Sequence, residues 1–148
     1  MTNWPRPPDD ATKECDMCFV CGPKNPIGLK LKFDWDGQQV QTTFTPGEHH
    51  QGWAGLVHGG IISSLLDEVM SYAALYSGVN CLTARMQTRF KHPQPINEPL
   101  TVTGAVTKKT SRLVEARGEI KLADGTLVAE GTATMFIFLK DRKARVDA

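Results

Sequence analysis

The residues best suited to chemistry lie in one run, GLVHGGIISSLLDEVMSYAA, at positions 55–74. Apolar residues recur in it at helical spacing, which predicts a long helix over residues 60–76. Asp67 stands in the middle of this apolar helix, where burying a carboxylate is costly unless it is paired or used. Burial disfavours the charged form and so suits a base or a nucleophile. Asp67 is therefore the predicted catalytic carboxylate, and a hydrogen-bonded helix residue is the plainer alternative.

Two glycines and a histidine mark the start of the predicted helix. The N–H groups of Gly59 and Gly60 have no partner within the helix, because no helical carbonyl precedes them. Together with the positive end of the helix dipole, they suit a developing oxyanion. Glycine also lets a substrate carbonyl approach the main chain closely. His58 is predicted to position the loop through its imidazole, and simple capping and packing is the alternative for all three residues.

The spacing of these groups limits how they act together. Gly59 and Asp67 are eight residues apart, which is about 12 Å along a helix. That distance is too large for both groups to act on one carbonyl carbon. If both are catalytic, the oxyanion donor and the carboxylate come from two different chains. Glu68 points about 100 degrees away from Asp67 and cannot face it.

Runs of apolar and alternating residues elsewhere predict strands. Asp36-Gly37 and Asp124-Gly125 each separate two such runs, as in tight hairpins. The predicted strands are residues 29–33, 40–44, 82–90, 100–107, 113–122 and 127–139. In the third of these, one face carries Thr83, Arg85, Gln87 and Arg89. One helix covers six strands only if the sheet curls around it, and open sheet edges favour pairing with a second copy. The fold class is therefore α+β, and a dimer is predicted.

The overall composition narrows the range of partners. With 148 residues, 41% of them hydrophobic and 22% charged, the chain fits one soluble domain. A net charge of +1 gives no reason to expect nucleic acid or an anionic membrane as a partner. No apolar run is long enough to span a bilayer, and the start lacks a secretory signal, so a cytoplasmic location is expected. Residues 1–17 are predicted to be irregular, and residues 141–148 to form a solvated tail.

Three of the four cysteines, Cys15, Cys18 and Cys21, fall within seven residues. This spacing is poor for a disulfide framework and favours reduced thiols. A zinc site normally needs four ligands, and no second C-x-x-C or H-x3-H motif follows. His49 and His50 complete such a site only if the fold brings them near. A redox pair is a further alternative, without its usual βαβ context. We predict no metal and no cofactor.

Several motifs together resemble a known family. The run H-Q-G-W-A-G-L-V-H-G-G at 50–60 is followed by Asp67 and, sixteen residues later, by Thr83. With C-F-V-C-G-P-K-N-P-I-G-L at 18–29, these residues resemble the hotdog-fold acyl-CoA thioesterases of the phenylacetyl-CoA thioesterase type. The resemblance implies a hotdog domain over residues 18–140. In that fold a curved antiparallel sheet of five to six strands wraps around one long central helix.

The same resemblance implies an activity and a set of roles. The chain is expected to hydrolyse an acyl-CoA thioester to free acid and coenzyme A. Gly59 would polarise the thioester carbonyl, Asp67 of the facing subunit would attack it or activate water, and Thr83 would hold the water or the carboxylate. His58 would act beside them, as a structural residue more than as a base. Relatives are usually dimers of dimers, so a homodimer or a homotetramer is expected.

Further residues are predicted to contact the substrate. Relatives often carry an asparagine six residues before the histidine of H-G-G, whereas this chain has Gly52. A neighbouring histidine or glutamine is expected to fill that polar role. Basic strand residues are candidates for the phosphates of coenzyme A, and a solvated face is the alternative. The predicted substrate-binding residues are Gly60, His50, Gln51, Ser71, Arg85 and Arg89.

Two other functions are compatible with the sequence. A hotdog dehydratase or hydratase also acts on acyl thioesters, but its histidine and acid stand in a differently spaced motif. A non-catalytic acyl-CoA-binding protein is the second alternative. The sequence does not predict which acyl group is preferred.

Overall fold

The computed structural model of the chain describes residues 15–138. Residues 1–14 of the predicted irregular segment and the whole predicted tail, residues 141–148, lie outside the described residues. The strands are β1 (Asp34–Trp35), β2 (Val40–Phe44), β3 (Cys81–Phe90), β4 (Leu100–Lys109), β5 (Leu113–Leu122) and β6 (Leu127–Ile137). The helices are a short 3-10 helix (Glu48–His50) and α1 (Gly59–Tyr76).

The six strands form one antiparallel sheet in the order β1-β2-β4-β5-β6-β3. The helix α1 contacts β2 through β6, so the sheet curves around it. This arrangement confirms the predicted α+β architecture of one long helix and six strands. β3 follows the helix directly but lies at an edge of the sheet, where β6 is its strand neighbour. Within residues 15–138, no helix has the length and hydropathy needed to cross a membrane.

On the sheet side, α1 lies against a row of three glycines. Gly104 of β4 pairs with Gly118 of β5, which in turn pairs with Gly131 of β6. A methyl group added at Gly104 would lie 2.9 Å from the carbonyl oxygen of Val69, and one at Gly118 would lie 3.2 Å from Cδ2 of Leu66. The row therefore lets the helix approach the centre of the sheet more closely than any side chain would allow.

The other side of α1 is covered by the chain that precedes β2. Phe33 stacks on Tyr72 of the helix with ring centroids 4.2 Å apart, and Trp35 stacks on Tyr76 at 5.5 Å. Stacked aromatic pairs of this kind add to the stabilisation from buried area alone. Coverage on two sides explains why the helix is apolar around most of its circumference.

The predicted strand over residues 29–33 is wrong. Two of its backbone amides donate to the carbonyls of Phe19 and Val20, at 2.8 and 2.9 Å, which ties the segment to the chain before it. Lys30 has a φ of 55°, which lies in the left-handed region and is incompatible with a strand. The regular strand before the first hairpin is therefore only Asp34–Trp35.

Both aspartate-glycine pairs form turns between antiparallel strands, as predicted. Gly37 and Gly125 have φ values of 99° and 88°, which glycine adopts without strain. In the first turn, Oδ1 of Asp36 accepts hydrogen bonds from the amides of Gln38 and Gln39, at 2.8 and 2.6 Å. These bonds, that from Gln39 foremost, hold the pKa of Asp36 below its usual value.

Candidate active site

Asp67 and Thr83 meet where α1 lies beside the edge strand β3. The Thr83 hydroxyl donates a hydrogen bond of 2.7 Å to Oδ1 of Asp67. Both residues are half-buried. Among residues 15–138, the second carboxylate oxygen of Asp67 accepts no hydrogen bond. The carboxylate is thus held at one oxygen and open at the other, as a base or a nucleophile requires.

A β-bulge at Ala84 turns Thr83 toward the helix. Thr83 pairs with Met135 of β6, but Arg85 pairs with the adjacent Thr134, so Ala84 has no residue opposite it. The simple alternation of the sequence placed Thr83 on the same face as Arg85, and that prediction is wrong. The extra residue reverses the alternation, so Thr83 faces the helix while Arg85 faces outward.

His58 caps α1 and takes up one of the two glycine amides at its start. Nδ1 of His58 accepts a 2.8 Å hydrogen bond from the N–H of Gly60. An accepting Nδ1 is unprotonated, so the neutral ring carries its proton on Nε2. The N–H of Gly59 has no hydrogen-bond partner within residues 15–138. Gly59 is therefore the amide of this pair that is available to an oxyanion.

The two ends of β3 lie beside different parts of α1. A methyl group built on Gly59 would lie 3.6 Å from the ring of Phe90, at the end of β3, whereas Asp67 bonds to Thr83 near its start. Strand and helix therefore run side by side in opposite directions, with one candidate group at each end. Both groups belong to one regular helix, and eight residues separate them by about 12 Å.

The loop before α1 is braced by two residues that were predicted to contact substrate. Nδ1 of His50 accepts from the N–H of Gly47 at 2.8 Å, and burial lowers the pKa of His50. The Gln51 side chain donates to the carbonyl of Glu48 at 2.8 Å and accepts from the N–H of Gly55 at 2.6 Å. These polar side-chain atoms form hydrogen bonds within the loop. Both residues therefore shape the chain that leads into the helix.

Gly52, where relatives often carry asparagine, packs against the residue that caps the helix. A methyl group at Gly52 would lie 3.2 Å from Cα of His58, which is shorter than most real contacts of this kind. The N–H of Gly52 donates to the carbonyl of Leu56 at 3.0 Å, which closes a tight loop. Trp53 at its tip is 86% exposed. An asparagine at position 52 would therefore require the loop to shift.

The remaining predicted substrate residues lie in two separate places. Gly60 and Ser71 share with Asp67 one strip of α1, because helix residues three, four and seven apart lie on one face. Arg85 and Arg89 are exposed on the outer face of the sheet. A hollow of about 280 Å³ on that face is lined by Gln87, Arg89, Arg117, Gly118, Glu119, Glu130, Gly131 and Thr132. In a single chain, Asp67 and the two arginines are therefore on opposite faces of the sheet.

The amino-acid sequence around this site matches a known family. The family model described as Thioesterase superfamily matches residues 54–129, just over half of the chain. The chain belongs to the thioesterase superfamily. The matched range contains α1, β3 and the Asp67–Thr83 pair.

Individual members of the superfamily are similar to this chain. Mouse acyl-coenzyme A thioesterase THEM4 is 34% identical over 107 residues, which are 72% of this chain and 46% of that protein. The crystal structure of protein RHA08564, a thioesterase superfamily protein, has 33% sequence identity and a TM-score of 0.74, and covers 78% of this chain and 60% of that chain. The E. coli PaaI protein, from the phenylacetic acid degradation operon, has 21% identity and a TM-score of 0.70, over 74% and 80% of the two chains.

The predicted family and the predicted hotdog fold are thereby confirmed. The chain spans about half the length of the curated relatives it matches.

The chain also has a second polar cluster, where α1 meets the N-terminal segment, defined here as residues 15–33. Glu68 accepts a 3.5 Å hydrogen bond from Sγ of Cys18. One turn further along the helix, the Tyr72 hydroxyl lies beside the thiol of Cys21. Burial raises the pKa of Glu68, of Cys21 and of Tyr72. Sequence analysis missed this cluster; the available signal was two polar helix residues four apart, Glu68 and Tyr72.

Proposed function

We propose that this chain hydrolyses acyl-CoA thioesters to a free acid and coenzyme A, at a site formed by two copies of the chain. The observation that carries the proposal is the hydrogen bond from Thr83 to Asp67, which orients a half-buried carboxylate beside an edge of the sheet. The oxyanion donor in this proposal is the N–H of Gly59 from the other copy. Similarity to mouse THEM4, which is named an acyl-coenzyme A thioesterase, supports the substrate class.

The layout of β3 supports a shared site. β3 is a ten-residue strand at the sheet edge, and such an edge offers backbone groups to a second strand. Suppose that two β3 strands pair antiparallel about a twofold axis between Met86 and Gln87. Phe90 of one copy then lies near the partner's Thr83. Gly59, which lies beside Phe90, comes next to the partner's Asp67, so the twofold axis removes the 12 Å gap.

Each group then has a defined step. Asp67 takes a proton from water as that water attacks the thioester carbon, or it attacks the carbon itself to give an anhydride that water hydrolyses. The N–H of Gly59, with the positive end of α1, stabilises the negative charge on the carbonyl oxygen. The carbon–sulfur bond breaks, and the coenzyme A thiolate leaves and takes up the proton. Thr83 keeps the carboxylate aimed at the reacting atoms.

Other residues act indirectly in this proposal. His58 occupies the amide of Gly60 and fixes the first turn of α1. His50 and Gln51 hold the shape of the preceding loop. Gly60 and Ser71 line the helix strip along which the thioester binds, with Asp67 between them.

Arg85 and Arg89 are our candidates for contacts with the phosphates of coenzyme A. Both are exposed on β3, the strand that would form the dimer interface. If the coenzyme A part of the substrate extends from this interface along the outer face of the sheet, it lies near both arginines. Arg85→Gln and Arg89→Gln are expected to raise KM for acyl-CoA by up to about fivefold, as for exposed ion pairs. Acyl-N-acetylcysteamine, which lacks the phosphates, is the control substrate. An equal change of KM with both substrates would remove these residues from phosphate binding.

We further propose that the protein is a homodimer, and that two dimers associate into a tetramer. The support is the open edge of β3 and the family resemblance. A cytoplasmic location remains a prediction, supported by cysteine spacing that suits a reducing compartment. Light scattering coupled to gel filtration measures the assembly, and a monomer with full activity would contradict the shared site.

The central test combines two inactive variants of different kinds. Asp67→Asn removes the carboxylate, and Gly59→Pro removes the N–H. Proline is well accepted at the first position of a helix. The backbone of His58, at φ −62° and ψ 135°, already has the conformation that precedes proline. Gly59→Ala is the matched control, because it keeps the N–H and its methyl group meets only ordinary contacts.

Thiol release from a panel of acyl-CoA substrates is the readout. Asp67→Asn alone is expected to lower kcat by about 10²–10⁴-fold and Gly59→Pro alone by about 10²–10³-fold, whereas Gly59→Ala, which keeps the N–H, should lose much less than Gly59→Pro. Coexpression of Asp67→Asn with Gly59→Pro places one intact site in about half of the dimers, so activity returns to about a quarter of wild type. High activity of folded Asp67→Asn protein, or no recovery in verified mixed dimers, would contradict the proposal.

The same reactions separate hydrolysis from the other functions of this fold. A hydratase adds water to an unsaturated acyl-CoA and releases no thiol. A binding protein retains acyl-CoA unchanged. One acid formed for each thiol released identifies hydrolysis.

A further inference from the structure

The cluster of Cys18, Cys21, Glu68 and Tyr72 has no part in the proposed reaction. Sγ of Cys18, Sγ of Cys21 and a carboxylate oxygen of Glu68 all lie within 4.8 Å of one another. Cys18 and Glu68 are 50 residues apart in sequence. The tertiary fold therefore assembles this group of metal-binding atoms, which the cysteines alone do not complete.

The spacing of these atoms suits a tetrahedral zinc site. Zinc lies about 2.3 Å from a thiolate and about 2.1 Å from a carboxylate oxygen, which at tetrahedral angles puts sulfur and oxygen about 3.6 Å apart. Sγ of Cys18 and Oε1 of Glu68 are 3.5 Å apart. Two thiolates with one carboxylate also favour zinc over magnesium or calcium, which prefer oxygen ligands throughout.

A tight turn holds both sulfur atoms close together. The N–H of Gly22 donates to the carbonyl of Cys18 at 2.9 Å. A methyl group at Gly22 would collide with the backbone nitrogen of Cys18, so only glycine fits. The spacing C-x-x-C is the one that zinc sites use for a pair of neighbouring thiolates.

The cluster lacks a positive charge. In the part of the chain from 15 to 138, Glu68 forms no ion pair with lysine, arginine or histidine. Buried carboxylates are normally paired with a cation or bound to a metal. The Tyr72 hydroxyl lies beside Cys21, where it can donate to the thiolate and orient it, as outer groups of metal sites do.

We propose that Cys18, Cys21 and Glu68 bind one zinc ion, with water in the fourth position. Both thiols lose their protons to solvent as the ion binds. The ion fastens the N-terminal segment to α1 at the residue next to Asp67. The sequence predicts no zinc site, because no second pair of cysteines or histidines follows Cys18 and Cys21. In the proposed site the third ligand is instead a carboxylate from the helix.

The first experiment uses the wild-type protein alone. The full chain is reduced, its four thiols are counted, and metal is removed with a chelator before titration with zinc against a chromophoric chelator. One zinc per chain is expected, retained through gel filtration and accompanied by a higher melting temperature. Cobalt in place of zinc is expected to give absorption from charge transfer between thiolate and cobalt.

Variants then test the three ligands. Cys18→Ser, Cys21→Ser and Glu68→Gln are each expected to weaken zinc binding by more than the roughly 10- to 100-fold that loss of an outer hydrogen bond causes. Cys81→Ser is the matched control, because Cys81 lies at the start of β3, outside the cluster. Circular dichroism checks that each variant is folded.

Two results would overturn the proposal. One is the absence of stoichiometric zinc in the reduced wild-type protein. The other is undiminished affinity in the combined Cys18→Ser/Cys21→Ser variant, which would show an adventitious ion only. Neither result depends on thioester hydrolysis, because metal content and absorption are measured directly.

Discussion

Asp67 and Glu68 are neighbours in the chain, yet the structure gives them different surroundings. Asp67 faces the edge strand, receives one hydrogen bond from Thr83 and keeps its second oxygen open. Glu68 faces the N-terminal segment, where Cys18 contacts it and burial raises its pKa. One acid is held and accessible, and the other is enclosed.

The difference comes from what covers each side of α1. Consecutive helix residues point about 100 degrees apart, so Asp67 and Glu68 meet different parts of the fold. On the side of Asp67, the sheet of residues 15–138 ends at β3, which leaves room for the substrate and the second copy that we propose. The side of Glu68 is closed by the chain before β1. Asp67 and Glu68 are both acids, and they differ in which part of the fold packs against each of them.

The strongest test changes each acid to its amide. Asp67→Asn is expected to lower kcat by about 10²–10⁴-fold, because a positioned base or nucleophile is lost. Its melting temperature should change little. Glu68→Gln is expected to lower the melting temperature of zinc-loaded protein and to change kcat by less than about tenfold. Thiol release and thermal melting on the same samples measure both effects. Equal losses of kcat in Asp67→Asn and Glu68→Gln would show that the two acids do not have the different roles described above.

The glycine row provides a test that acts on both sides of the helix at once. Gly118→Ala places a methyl group 3.2 Å from Leu66 and Val69. Overpacking of this kind costs about 1–3 kcal/mol in the free energy of unfolding, and it displaces both acids together. Urea denaturation measures the loss. Gly47→Ala is the control, because a methyl group there meets nothing within 4 Å, and its effect should stay within about 0.5 kcal/mol.

Two threonines on the inner face of β3 sharpen the assignment of Asp67. Thr83→Val removes the hydrogen bond to the carboxylate and is expected to lower kcat about tenfold, because a bond to a charged group contributes about 1.5–3 kcal/mol. The hydroxyl of Thr88 is buried and has no hydrogen-bond partner among residues 15–138. Thr88→Val should therefore leave kcat and stability unchanged or slightly improved. A comparable loss of kcat in both variants would mean that the strand, and not the bond, matters.

The smallest effect is expected on the enclosed side. Tyr72→Phe removes the hydroxyl that lies beside the Cys21 thiol but keeps the ring stacked on Phe33. In metal-free protein the free energy of unfolding should fall by about 0.5–1.5 kcal/mol, with kcat unaffected. Chemical denaturation beside a thiol-release assay checks both. A fall in kcat without a fall in stability would show that the Tyr72 side of α1 influences the reaction at Asp67.

Patterns within the chain predicted most of the fold. Helical spacing placed α1 to within one residue of its start at Gly59, and alternation gave β5 at its observed bounds, Leu113–Leu122. The aspartate-glycine pairs gave both turns. These signals are local, so a single sequence contains them. Asp67 was likewise selected by its place in an apolar helix, and the structure adds its bond to Thr83.

The errors have causes that are not local. Residues 29–33 alternate between apolar residues and lysine like a strand, but they bond to the chain before them instead of joining the sheet. The bulge at Ala84 cannot be recognised from the alternation of residues in β3, because it is defined by the pairing of β3 with β6. Glu68 gains its importance only from Cys18 and Cys21, which the fold brings to it.

The bulge at Ala84 also bears on how the chain avoids unwanted association. A uniform edge strand accepts another strand at several offsets, which invites open-ended stacking of chains. An irregularity near one end of β3 leaves a smooth stretch only from Arg85 to Phe90. Two copies that pair about an axis between Met86 and Gln87 place Arg85–Thr88 of this stretch opposite each other, and the irregularity beside it leaves few alternative alignments. In the proposed dimer, one inserted residue would thus both limit unwanted strand pairing and align the shared site.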